Sequence, residues 1–255
     1  MLDVDATTAR SIESPPKDFA GLLERIQDAT TGPNDATSLA RGGNVLTSAF
    51  ADPVASAGLL DSWASGLEAG EIYDRGRSQM HNNGFSKISL VRLEGGWNLR
   101  LHVWPAGKGD QRVHDHRWSF ASIAVAGALD VMNYAASPVA DGDDDPTQRY
   151  RLYDATGDGE KRLERIEDNE LRPSSSYRIG RGAFHILDYR DPHIVWNTTG
   201  EDAVTLMLSG PAQREYSHSY GPRDTGDVLP APEIIGDARA IDHVRAVAQR
   251  LRAIA

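Results

Sequence analysis

The segment RVHDHRWSF places two histidines, His114 and His116, on either side of one residue. On an extended strand side chains alternate with a period of two, so both imidazoles project from one face. Two imidazoles are half of a metal site. A mononuclear ion that keeps open positions for chemistry takes three protein ligands, so a third must come from elsewhere in the chain. His185 and His193 are the candidates, and either choice requires a fold that returns a distant extended segment to the first. A small metal-binding β-barrel meets that demand. A lone H-x-H pair is also compatible with ordinary core or surface histidines.

The surrounding pattern is β-like. From about Phe85 the chain becomes short, alternating and β-branched, with turn signals at Glu94-Gly95-Gly96 and Ala106-Gly107-Lys108-Gly109, and this continues to about Pro211. Before it, Phe19, Leu22, Leu23 and Ile26 fall at helical spacing, and DPVASAGLLDSWASGLEAG reads as a second helix capped by Asp52 and ended by Gly70. After it, GDARAIDHVRAVAQRLRAIA carries the last apolar helical stripe. The expected organisation is a disordered lead (1–16), an N-terminal helical segment packed on the barrel (17–84), the barrel (85–211), and a C-terminal tail and helix (212–255). SPVADGDDDPT reads as a solvated hairpin tip, its acidic spacing not being that of a calcium loop.

The region from Leu99 to Pro211 resembles the cupins, jelly-roll barrels with two motifs, G-x5-H-x-H-x3/4-E-x6-G and G-x5-P-x-G-x2-H-x3-N. Gly127 follows His116 at the motif distance, and Phe120 stands where the family carries a glutamate ligand. Gly182 lies eleven residues before His193 and Asn197 four after it, while Asp188 and Arg190 replace the internal proline and glycine. His185 fits less well, because Tyr189 occupies its asparagine position. The resemblance thus implies His114, His116 and His193 as ligands, with His185 the alternative to His193.

Without the glutamate, GFSKISLVRLEGGWNLRLHVWPAGKGDQRVHDHRWSFASIAVAGALDV and HIVWNTTGEDAVTLMLSGP are similar to blocks of cysteine dioxygenases and related thiol dioxygenases, which bind iron(II) through three histidines. Their Ser-His-Tyr relay falls on Thr205, Met207 and Ser209, and their carboxylate-binding arginine nearest Lys87. Oxidation of free cysteine is therefore not expected. The resemblance implies an iron(II) oxygenase, using dioxygen on a small anionic substrate. Zinc, manganese or nickel on the same ligands, catalysing isomerisation or hydrolysis, is one alternative. A noncatalytic ligand-binding cupin is another.

Strand parity supplies further candidates. In NLRLHVW, Leu99, Leu101 and Val103 share one face and Arg100, His102 and Trp104 the other. If the second face lines the barrel mouth, Arg100 and His102, with Lys87, orient an anionic group; if not, they are surface residues. Trp118 and Phe120 share the parity of His116 and form an apolar wall beside it, a role that merges with core packing. Asp115 points to the opposite face as a structural partner. His243 reads as a helix-packing or surface residue. His81 has turn neighbours only, and His218 lies between Tyr216 and Tyr220 in a segment that reads as a loop or a lid.

A formal charge of −10 argues against a nucleic-acid backbone as partner, and no apolar run is long enough to span a membrane. The absence of cysteine excludes disulfides and thiolate ligands. With an N-terminus lacking a basic start and apolar core, the expectation is a cytoplasmic protein, with a homodimer through an outer strand or the last helix open to it.

Overall fold

In the computed structural model, the residues described are 15–32, 35–71, 73–110, 112–139, 147–153, 161–222, 228–229 and 231–255. Most of the lead 1–16 and most of the acidic segment 137–147 lie outside them.

Three helices precede the barrel: α1 (Phe19–Thr30), α2 (Ala36–Ala49) and α3 (Pro53–Glu68). Each starts on an aspartate whose carboxylate accepts a first-turn backbone N–H: Asp18 from Gly21, Asp35 from Ser38 and Asp52 from Ala55. The sequence reading missed α2, because Gly42-Gly43 at its centre reads as a break. The reason for the glycines is close approach: a Cβ on Gly42 would collide with Leu208, and one on Gly43 would lie 3.1 Å from the Phe184 ring. The last helix, α4 (Asp237–Ala253), packs against α3.

The strands are β1 (Ser78–Met80), β2 (Ser86–Arg92), β3 (Asn98–Trp104), β4 (Phe120–Ala126), β5 (Ala128–Pro138), β6 (Thr147–Tyr153) and β7 (Lys161–Gly180). They continue with β8 (Phe184–Leu187), β9 (His193–Trp196), β10 (Ala203–Ser209), β11 (Tyr216–Gly221), β12 (Val228–Leu229) and β13 (Ile234–Ile235). One antiparallel sheet runs β13-β1-β2-β3-β10-β4-β8, and the other β11-β6-β7-β5-β9, with β12 paired to β7. The chain passes repeatedly between sheets: β3, the His114 segment, β4, β5 and β7, β8, β9, β10. That interchange makes a double-sheet jelly roll with helices flanking it, the architecture expected from the sequence.

The two motif glycines occupy corners where the chain changes sheet. Gly127, between β4 and β5, has φ +67° and a Cβ there would come within 2.8 Å of the Asp202 carbonyl; Gly182, between β7 and β8, has φ +81°. Only glycine enters that region without penalty.

Strand pairing extends beyond the expected 85–211 at both ends: β1 pairs with β2 and β13, and β11 pairs with β6. The tail containing His218 is thus a strand, neither loop nor lid. The acidic segment read as a hairpin tip lies mostly outside the described residues; the flanking strands β5 and β6 pair on opposite sides of β7.

The main apolar core is on the outside of the first sheet. Phe19, Leu22, Ile26, Leu46, Leu60 and Trp63 from the helices cover Ile88, Leu90, Leu99, Leu101 and Leu206 from the strands. Removing this much apolar side chain from water is the main stabilising term available, at about 1.5–3 kcal/mol for each fully buried large residue. The opposite face of the same sheet looks into the barrel.

Candidate metal centre

His114 sits in an extended segment rather than a regular strand. Its backbone exchanges two hydrogen bonds with His193 of β9 (3.0 and 2.9 Å), while the next N–H, that of Asp115, donates to the His218 carbonyl of β11 (3.1 Å). His114 bridges to both His193 and Ser219, so the segment joins the two ends of the second sheet. His116 N donates to the Tyr189 carbonyl at 3.3 Å.

These bonds converge three imidazoles. One ring nitrogen from each of His114, His116 and His193 falls within 4.8 Å of the others, and ring centroids are 4.9–5.1 Å apart. His114 Nδ1 lies 3.1 Å from the Arg112 carbonyl and His193 Nδ1 lies 2.9 Å from the Asp191 carbonyl. A carbonyl can only accept, so both Nδ1 atoms carry the proton and both Nε2 atoms present lone pairs. Metal-binding histidines use this arrangement to fix tautomer and ring orientation.

His116 Nε2 and His193 Nε2 are 3.3 Å apart. Without a cation only an Nε2–H of His116 can donate across this gap, because His193 carries its proton on Nδ1; with one, both lone pairs would turn on it. Two ligands about 2.1 Å from a shared ion are separated by about 3.0 Å at a right angle and about 3.4 Å at the tetrahedral angle. The residues present fit a divalent ion. Burial pushes His116 well below its usual range and holds His193 at about 3, with neighbouring imidazoles adding to both shifts. The neutral form they favour is the ligating form.

Asp115, between His114 and His116 and 2% exposed, is held in an ionic clasp. Arg214 donates to Asp115, to the His116 carbonyl (2.7 Å) and to the Tyr189 carbonyl (3.1 Å). The His218 backbone N–H lies 2.5 Å from Asp115 Oδ1, and its Nδ1 lies 2.8 Å from Oδ2. The clasp ties the H-x-H segment to the turn before His193.

The triad opens into a cavity of about 220 Å³. Arg100, His102 and Trp104 all face it, whereas Leu99 and Leu101 lie under the helices. Arg100 donates to Ser209 Oγ at 2.9 Å, with its guanidinium 4.9 Å from the Trp118 ring centre. Phe120 meets His116 edge-on at 5.0 Å. Lys87, Trp118, Thr205 and Met207 also line the cavity. His185 does too, but outside the triad, with Nδ1 3.1 Å from Tyr177 Oη and burial holding it at about 4.

Sequence reasoning missed several wall residues. His81 stacks on Phe85 at 4.5 Å, and burial, assisted by Lys87 and Lys161, pushes it well below its usual range. Burial does the same to His102, which strand parity already names as a pocket candidate. Asp110 is buried and its carboxyl pushed up by burial. Asp110 comes four residues before His114, and its proximity in sequence was the one available signal. His81 and Lys161 arrive from other parts of the chain with no local pattern. His243 lies half-buried on α4, outside the cavity.

No family model and no curated protein matches the sequence. Among solved structures, the chain is similar to a cupin domain from Schizosaccharomyces pombe (9% identity, 50% of this chain and 61% of that one, TM-score 0.31). It is also similar to a cupin superfamily protein from Desulfitobacterium hafniense (6%, 51% and 81%, TM-score 0.29). A third is an oxalate oxidase in complex with the substrate analogue glycolate (13%, 54% and 55%, TM-score 0.32). At these identities and overlaps, the fold rests on strand order and the candidate metal site on its own geometry.

Proposed function

We propose that the protein is a mononuclear non-heme iron(II) oxygenase of the thiol-dioxygenase-like cupin type, acting with dioxygen on a small anionic substrate. The observation that carries this reading is the convergence of three imidazoles, two with Nδ1–H fixed on carbonyls, at the wall of a cavity.

His114, His116 and His193 would hold the ion. Iron(II) on three neutral nitrogens would retain its full charge and open positions, and would supply a redox-active centre through which electrons from a ligated substrate reduce dioxygen. The chain's other residues bind and orient. Arg100, held by Ser209 and Trp118, presents a fixed cation to an anionic group, and Lys87 and His102 sit beside it in the register of β2 on β3. Trp118 and Phe120 exclude water from the side of His116. Thr205, Met207 and Ser209 bring no imidazole or phenol. A His-Tyr contact near the cavity is instead that of His185 Nδ1 with Tyr177 Oη at 3.1 Å.

Elemental analysis of anaerobically purified protein tests the reading, paired with His114→Ala and His193→Ala. Near-stoichiometric iron, absent from both variants, together with substrate-dependent oxygen uptake is the expected result. Stoichiometric zinc or nickel with no oxygen uptake transfers the site to Lewis-acid chemistry. Failure to bind any divalent metal overturns the metalloenzyme reading in favour of a binding protein.

A further inference from the structure

We propose that the cavity selects small carboxylates rich in hydrogen-bond acceptors, such as hydroxy- or oxo-acids, and rejects the matching amino acids. This deepens the proposed function and rests on its reading of the cavity as the substrate chamber.

The first observation is a set of unpartnered buried atoms. Trp104 Nε1, Trp118 Nε1, Arg112 Nη1 and His102 Nε2 are all buried without a hydrogen-bond partner, and all four residues line this cavity. Indole and guanidinium nitrogens donate and never accept. The imidazole nitrogen does either, according to tautomer. A buried donor is costly until an acceptor reaches it, so the occupant that fits must bring several acceptors. Oxygen atoms along a short carbon skeleton meet this need. Phe85 and Trp104, stacked at 3.9 Å, supply a flat apolar wall for the skeleton itself.

The second observation concerns charge. Among the described lining residues the only acids are Asp110 and Asp115, and both are engaged. Asn83 Nδ2 reaches Asp110 Oδ1 at 2.5 Å and the Val195 N–H reaches Oδ2 at 2.9 Å. Arg214 and His218 occupy both oxygens of Asp115. A substrate ammonium would therefore be desolvated beside Lys87, Arg100 and Arg112 with no carboxylate to receive it. Such an uncompensated charge is an effective means of rejecting a ligand. The hydroxyls of Ser122, Thr205, Ser217 and Ser219 can donate or accept, and so do not alter the preference.

The test compares ligand pairs that differ only in the group next to the carboxylate: lactate with alanine, malate with aspartate, and 2-oxoglutarate with glutamate. Binding is measured by calorimetry under anaerobic conditions on the zinc-loaded and iron-loaded protein, with metal content determined on the same samples. At least one hydroxy- or oxo-acid should bind about tenfold or more tightly than its amino partner, roughly 1.4 kcal/mol. Trp118→Phe, which removes one donor and keeps the ring, should weaken that acid about five- to tenfold while leaving the amino acid unchanged. Equal or tighter binding of the amino acids overturns the proposal, as does binding of neither series to metal-loaded protein. A protein that takes up no metal yet still prefers the oxyacids upholds this selectivity and sinks only the oxygenase reading.

Discussion

The two faces of the first sheet contrast sharply in how they treat the same residue types. On the helix side, Trp63 is fully buried and its indole N–H donates to the Leu90 carbonyl at 3.0 Å. On the cavity side, Trp104 is 5% exposed and its indole N–H meets nothing, as is true of Trp118. Along β3, Leu99 and Leu101 join a dry apolar cluster while Arg100 and His102 face the barrel. One face therefore maximises stability, and the other sacrifices part of it to keep polar groups available. Natural proteins break local rules of polar satisfaction mainly at functional sites.

Substitutions on the two faces should separate these roles. His193→Ala should remove all stoichiometric metal, read by elemental analysis, with the far-ultraviolet dichroism of the protein retained. Trp63→Ala should do the reverse, lowering stability by about 3–5 kcal/mol in a denaturant titration while the folded fraction keeps its metal. Arg214→Met strikes both functions, because it leaves the Asp115 carboxylate buried with one partner fewer and releases the carbonyls of His116 and Tyr189. A loss of about 3–5 kcal/mol is expected with weaker metal retention against a chelator; unchanged retention would confine the clasp to folding.

Acid should expose the cavity face selectively. His185 is held at about 4 against 6.5 for an ordinary imidazole. Between those values the unfolded chain binds a proton that the folded protein refuses. The stability this histidine contributes is complete above about pH 6.5 and declines as pH falls towards 4. His185→Gln should reduce the slope of that part of the stability profile, which His81, His102, His116 and His193 share, and a slope equal to wild type would show that burial of His185 does not contribute to it. The smallest effect should come from His102→Leu, which removes a buried polar atom lacking a partner. Stability should stay within about 1 kcal/mol or rise, whereas affinity for anionic ligands should drop.

Much of this contrast was legible in the sequence, and the reasons differ by residue. The alternation of NLRLHVW separates Leu99 and Leu101 from Arg100 and His102, because strand parity is a local property. The H-x-H spacing and the glycines at 127 and 182 are equally local. Helix α2 was hidden because its glycines answer to Leu208 and Phe184, contacts that no window around them contains. The clasp was hidden for the same reason: Arg214 and His218 meet Asp115 about a hundred residues away, through a strand that forms only when the barrel closes. Asp115 could be read as a structural residue, but its partners could not be named.

The position of His114 between β9 and β11 has a consequence for how the protein breathes. A lone extended segment stitches β9 to β11 across the six-stranded sheet, and the same segment carries the side chain that a metal would grip. Opening of that seam would strip the ion, and an ion in place would hold the seam shut. Amide protons of His114, His193 and Tyr220 would then exchange with solvent in step with metal occupancy, while those of β10 would exchange only on global unfolding.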